Sequence, residues 1–258
     1  DGNVLAGPSV PDCIAAIKAA NGGAGVLKLY GNYGGDRMKF DMAGEMLDME
    51  GIETTTVLVA DAVASARQDE ADKRRGVAGM MYAFKIAGAA AATGAELATV
   101  TTLAQKTVEA CRSIGVALTP CTVPEAGKPT FEIGEDEIEM GMGIHGEPGI
   151  WRGPLRSADE ISGEMTERVT AELELKKGDK VSVLINSLGA TPNEELFILY
   201  RVVAKMLSDQ NVTITAPLIG RYATSMEMTG ASVTVIKLDQ ELERFLMAPC
   251  NCPFWKVP

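Results

Sequence analysis

The chain has 258 residues, 46% of them hydrophobic and 23% charged, enough to bury a sizeable core as one large domain or two modest ones. Its formal net charge of -11, from 24 Lys and Arg against 35 Asp and Glu, repels a phosphate backbone and argues against nucleic acid as a partner. No apolar stretch is both long and uncharged enough to span a bilayer, and the run Ile86 to Ala92 is short and mostly Ala, a packed helix.

Cys13, Cys111, Cys121, Cys250 and Cys252 are odd in number and irregularly spaced. With a single histidine they complete no zinc finger, and they are read as reduced thiols of a cytoplasmic protein. No secretory signal is visible, and the chain begins at Asp1 rather than Met.

In chain order, Asp12 to Ala20 predicts a short helix, broken by Gly22-Gly23. Val26 to Tyr30 reads as a strand, Gly31-Asn32-Tyr33-Gly34-Gly35-Asp36 as a glycine-rich turn, Met38 to Met49 as a helix and Thr54 to Val59 as the next strand. Strand, loop, helix and strand make a βαβ unit with parallel strands. Residues 61–74 are polar and charged and read as a surface loop. Two Ala-rich helices follow, Val77 to Ala92 and Glu96 to Ser113.

From Gly115 the pattern changes to short strands at Val116 to Cys121, Thr130 to Ile133 and Ile138 to Met142, punctuated by Pro and Gly. Ser157 caps a helix. Lys180 to Asn186 is a strand, Pro192 to Leu207 a helix, Val212 to Ala216 and Ser232 to Leu238 strands, and Gln240 to Met247 a last helix. The expectation is therefore an α/β fold: a parallel-rich α/β sheet domain at 1–114 and an α+β domain with a mixed sheet at 115–248. Residues 249–258 are placed back against the first domain.

Three segments bear on chemistry. The glycine loop ending at Asp36 sits after a parallel strand, where open sheets bind ligands, but it matches no standard nucleotide-binding spacing. A ligand loop and a tight turn capped by Asp36 stand equal there. Gly141-Met142-Gly143-Ile144-His145-Gly146-Glu147-Pro148-Gly149 holds the only imidazole in an irregular loop after a strand. Its glycine density favours function over a histidine bonded within a turn. Asn186 to Pro192 is a strand-to-helix loop with Thr191 as cap and Pro192 at the first helical position, a structural reading. Trp151, Phe254 and Trp255 are read as packing or interface residues, the 13 methionines mostly as core, and Glu135, Asp136, Glu137 and Glu139 as a solvated acidic run.

The stretch Gly141 to Gly149 closely resembles the active-site loop of the dihydroxyacetone kinases. Similar to that family, and in the same order, are Asn32-Tyr33 with Gly35-Asp36, Arg74-Arg75-Gly76-Val77-Ala78, Cys121-Thr122-Val123-Pro124 with Gly127-Lys128-Pro129, Leu188 to Pro192, and Thr224-Ser225 with Met228-Thr229-Gly230. The resemblance is to the substrate-binding (K) portion, not the helical nucleotide-binding (L) portion. It implies that His145 adds through a ring nitrogen to the ketone of dihydroxyacetone or a similar small ketose, giving a hemiaminal, and that Asp36 contacts the substrate hydroxyl and accepts its proton. It implies a kinase of glycerol metabolism that needs a separate DhaL-type subunit carrying Mg and ATP or ADP, with no cofactor or metal on this chain, and a homodimer.

Two departures stand out. The family's GGGSGHEP-like segment, with a second histidine, precedes the region matched by Asp1, so the chain is read as N-terminally incomplete. The loop's usual lysine is replaced by Gly31, which points to a different small ketose, such as a tetrulose, or a weaker site. The competing reading is a non-catalytic ketose-binding sensor or coactivator of the same fold. An aldolase or isomerase needs a Schiff-base lysine or a metal cluster, and the sequence offers neither.

Overall fold

The β-branched run at residues 54–59 forms one of two parallel strands that start the fold. In the computed structural model, which describes residues 7–124, 126–253 and 255–258, β1 (Val26–Gly31) pairs in parallel with β2 (Thr54–Val59), Val26 opposite Thr54 and Gly31 opposite Val59. The connection is α2 (Gly34–Asp48). Helix α1 (Val10–Ala20) begins with a Ser9–Asp12 capping box and a proline in its first turn. It packs Cys13 and Ile17 against Ala43 and Leu47 of α2.

The second sheet has seven strands. They are β3 (Cys111–Thr119), β6 (Glu137–Met140), β7 (Trp151–Pro154), β8 (Lys180–Ser187), β9 (Thr213–Ile214), β10 (Leu218–Gly220) and β11 (Thr229–Leu238). The order is β10-β8-β11-β3-β6-β7, with β9 also beside β8. β9 and β10 run parallel to β8 and the other pairs are antiparallel, so the sheet is mixed. Two short hairpins, β4 (Thr122–Val123) with β5 (Lys128–Pro129) and β12 (Cys250–Asn251) with β13 (Lys256–Val257), stand outside it.

Period-2 alternation gives the central strands two unlike faces. Val181, Val183, Ile185, Val233 and Val235 pack under α5 (Ala158–Ala171) and α6 (Asn193–Asp209). Each such aliphatic side chain contributes about 1.5–3 kcal/mol by leaving water. The opposite face meets α3 (Gly79–Ala91), α4 (Leu97–Glu109) and α7 (Gln240–Leu246), and one cluster joins Val57 and Val59 of β2 to Leu184 and Ile236 of the mixed sheet. Its polar groups are paired: Tyr82 Oη with Ser182 Oγ at 2.8 Å and Ser113 Oγ with Thr234 Oγ1 at 2.7 Å. No helix among the described residues is long and apolar enough to cross a membrane.

Several local expectations change. Residues 61–74 are not simply a surface loop. Asp61 and Arg74 are buried, Ala62 bridges Ser113 of β3, and Gln68–Lys73 is a 3-10 turn. Strand β3 starts at Cys111 because Ser113 must pair with Thr234, so the break expected near residue 114 falls inside a strand. The candidate strand at 130–133 is absent, while β7 and β10 were unforeseen. The methionines of α2 and of its C-cap, Met49, form an exposed stripe, with Met38 62% and Met49 81% exposed, rather than core. Trp255 packs edge-on against Tyr82 and Tyr222, which sets the tail against both α3 and the β10–β11 connection. Phe254 lies outside the described residues.

Candidate functional site

Four distant motifs meet beneath the histidine loop. Cys121, Met142, Leu188 and Met228 form a small buried cluster, with Phe131 and Ile144 at its edge. Thr191 Oγ1 donates to Gly230 O at 2.7 Å, and Leu188 N–H donates to the same carbonyl at 3.0 Å. Thr191 thus latches two loops together, and Pro192, not Thr191, is the cap of α6. This is the structural role expected of that segment.

Above the cluster the 141–149 loop is shaped by two glycine requirements. Gly146 has φ +85°, and a Cβ there would lie 3.1 Å from Phe131 Cδ1 and Thr130 Cβ. A Cβ on Gly143 would collide with Glu147 Oε2. At the loop's end, Gly149 N–H donates to Glu139 Oε1 at 2.6 Å, and Arg152 is ion-paired with the same carboxylate. Glu139 is 5% exposed, so the acidic run is not all solvated: one member clamps the loop.

His145 is presented rather than buried; its side chain is 36% exposed. Glu147 grips it twice. Oε2 accepts from the His145 backbone N–H and Oε1 lies against Nδ1, each at 3.0 Å. A carboxylate only accepts, so the neutral ring carries its proton on Nδ1 and its lone pair on Nε2. Among the described residues Nε2 makes no hydrogen bond. Burial pushes the Glu147 carboxyl up, but its hydrogen bonds with His145 outweigh that and leave it below the usual range.

Tyr33 forms the wall beside the imidazole, edge to face with centroids 4.7 Å apart. Its hydroxyl donates to Gly76 O at 2.9 Å, and its neighbour Asn32 donates through Nδ2 to Asp72 O at 2.9 Å and Arg74 O at 2.7 Å. Burial, then the charge of Glu147, drives the Tyr33 phenol far up, opposed by Arg75. Asp61 and Asp36 add to the rise. Asp36 stands in the first turn of α2, which begins at Tyr33 without any side-chain cap. A capping role for Asp36 is therefore absent. Its carboxylate borders Gly7, whose carbonyl accepts from Lys39 Nζ at 3.1 Å.

Hollows of about 280 to 470 Å³ mark the described surface elsewhere, and those are lined by neither His145, Tyr33 nor Asp36. No cluster of three or more metal-ligating His, Cys, Asp or Glu occurs among the described residues. Sequence reasoning named His145 and Asp36; it gave no separate role to Tyr33 or Arg75, although both stand inside quoted motifs.

Residues 1–254 match the Dak1 domain. This chain belongs to the Dak1 family. It is 45% identical over 256 residues to the PTS-dependent dihydroxyacetone kinase 2, dihydroxyacetone-binding subunit DhaK, of Listeria innocua, across 99% of this chain and 77% of that one. It is 40% identical to L-erythrulose kinase of Pectobacterium atrosepticum, spanning 99% of this chain but 44% of that protein. Among solved structures it resembles the dihydroxyacetone kinase operon co-activator Dha-DhaQ, with a TM-score of 0.86 and 28% identity over 94% of this chain and 75% of that one. The Dak1 fold expected from the motifs, a parallel pair with helices joined to a mixed sheet, is the fold observed.

Proposed function

We propose that this Dak1 chain is the ketose-binding subunit of a dihydroxyacetone-type kinase, holding dihydroxyacetone or a similar small ketose covalently on His145. The observation that carries this is the Glu147 grip on Nδ1, which leaves Nε2 as the free nucleophile on an accessible ring. Nε2 bonds to the ketone carbon, the C=O electron pair moves onto oxygen, which takes a proton from water, and the now cationic ring gives its Nδ1 proton to Glu147, from which it returns to solvent. The product is a hemiaminal that keeps every atom of the ketose. Polyols such as glycerol lack the electrophilic carbon and are excluded.

Tyr33 then bounds the adduct on one side. Asp36 accepts the proton of the terminal hydroxyl as a phosphoryl group arrives. Fixing the ketose is the main contribution, since phosphoryl transfer depends chiefly on positioning and charge. Magnesium and the nucleotide belong to a separate DhaL-type subunit, and the chain acts as a cytoplasmic homodimer. The names of its relatives support both dihydroxyacetone and erythrulose as substrates.

A second reading, a non-catalytic ketose sensor of the same fold, is favoured by the likeness to the operon co-activator. NMR of carbonyl-labelled dihydroxyacetone tests the shared claim. The carbonyl carbon should become tetrahedral on binding to the wild type and remain a free ketone or hydrate with His145→Ala. Phosphorylation on adding an L-type subunit, Mg and ATP, or a phosphotransferase donor system, separates kinase from sensor.

A further inference from the structure

Two consecutive arginines leave the 3-10 turn at Gln68–Lys73 and meet different environments. Arg74 uses its whole guanidinium: Nη1 and Nη2 fork onto Glu172 and Nε donates to Ala66 O at 2.9 Å. Arg75 has no carboxylate in ion-pair range among the described residues. Its one side-chain contact is a long one, Nη2 to Pro148 O at 3.4 Å, and its Nε is shut from solvent with no acceptor.

The backbone of Arg75 is nevertheless fixed at both polar groups. Its N–H donates to Ser65 Oγ at 3.0 Å and its carbonyl accepts from Ala62 N–H at 3.1 Å. A half-buried guanidinium with unused donors carries a desolvation cost that an anion would offset. The place of Arg75 is informative too. Pro148 lies in the His145 loop, so the guanidinium reaches that loop directly, and its charge also opposes the rise of the Tyr33 phenol.

The geometry points to Arg75 as an anion-binding residue of the His145 centre, whose fork takes the oxygens of a phosphoryl group carried by the ketose. A planar fork pairs two N–H donors with two phosphoryl oxygens, which an ammonium does not. The choice of a ketose phosphate rests on the proposed function; the anion site itself does not. Gly31 supplies no cation of its own; Arg75 brings a positive charge to the His145 loop through its contact with Pro148 O.

The test is calorimetric titration of inorganic phosphate and of dihydroxyacetone phosphate into the wild type, Arg75→Gln, Arg75→Lys and His145→Ala, with circular dichroism to verify folding. Arg75→Gln should weaken both ligands by about tenfold or more, and Arg75→Lys should recover part of that loss. His145→Ala should still bind inorganic phosphate. Adduct yield with unphosphorylated dihydroxyacetone should be equal in wild type and Arg75→Gln.

Equal phosphate affinity in wild type and Arg75→Gln, or no phosphate binding by the wild type, overturns the inference. So does an equal loss of ketose and phosphate binding, which would make Arg75 a brace for Pro148. If the wild type forms no ketose adduct yet binds phosphate through Arg75, the covalent reading fails and the anion site stands.

Discussion

Arg74 and Glu172, 98 positions apart, meet as a forked ion pair, Nη1 to Oε2 at 2.5 Å and Nη2 to Oε1 at 2.7 Å. Arg74 is 1% exposed, and its own carbonyl accepts from Asn32, the neighbour of Tyr33. The pair therefore fixes, at one remove, the wall beside His145. Glu172→Ala leaves a buried guanidinium uncompensated and should cost roughly 3–5 kcal/mol in urea unfolding.

The same pair sets an acid limit. Burial raises the Glu172 carboxyl, but Arg74 and Arg112 outweigh it and hold the carboxyl below its usual range. A depressed carboxyl contributes stability above its unfolded value and loses it as pH falls through the folded one. The wild-type urea midpoint should thus decline below about pH 4.3, the ordinary glutamate value. The double variant Arg74→Met, Glu172→Leu should decline less steeply over that window.

Glu147→Gln retains a similar shape but offers Nδ1 a neutral partner. Adduct formation with dihydroxyacetone should slow by about tenfold or more, because a charge-assisted hydrogen bond becomes a neutral one. Stopped-flow binding measures this. An unchanged rate would assign Glu147 to loop packing alone.

A lysine at Gly31 should crowd Tyr33. A Cβ there would lie 3.0 Å from Tyr33 Cε2 and 3.3 Å from Met80 Sδ, so the ring has to shift. Gly31→Lys is expected to cost about 1–3 kcal/mol and to reduce ketose affinity, since Tyr33 is displaced from His145. Thermal melts and ketose titration report the two effects separately.

What the sequence made legible follows how local the signal is. The strands at 26–31 and 54–59 and the helix between them were readable because period and glycine punctuation act within a few residues. The His145 loop was readable because glycine density and a lone imidazole coincide. Arg74, Asp61 and Glu139 were misread as solvated because charge is local and partnership is not. Asp61 accepts from Val77 N–H, Gly79 N–H and Ser113 Oγ, the last 52 positions away. The exposed stripe at Met38, Met42, Met46 and Met49 was read as core for a related reason: apolar spacing along a helix marks a face, not what covers it. Tyr33 escaped notice as a wall because its contact with His145 crosses from one motif to another.

Asp36→Asn separates binding from turnover. Hemiaminal formation should persist, because Asp36 has no contact with the Glu147 grip. Phosphorylation with an L-type subunit, Mg and ATP should fall by about 10²–10⁴, the usual contribution of a general base. Turnover close to wild type would remove Asp36 from proton transfer.

Native intact-mass spectrometry with dihydroxyacetone, without any reductant, addresses the covalent bond itself. The wild type should gain the mass of one whole ketose with no loss of water, the gain should map to the peptide carrying His145, and His145→Ala should gain nothing. An unmodified wild type, a dehydrated adduct characteristic of a lysine imine, or an equal gain in His145→Ala would contradict the account.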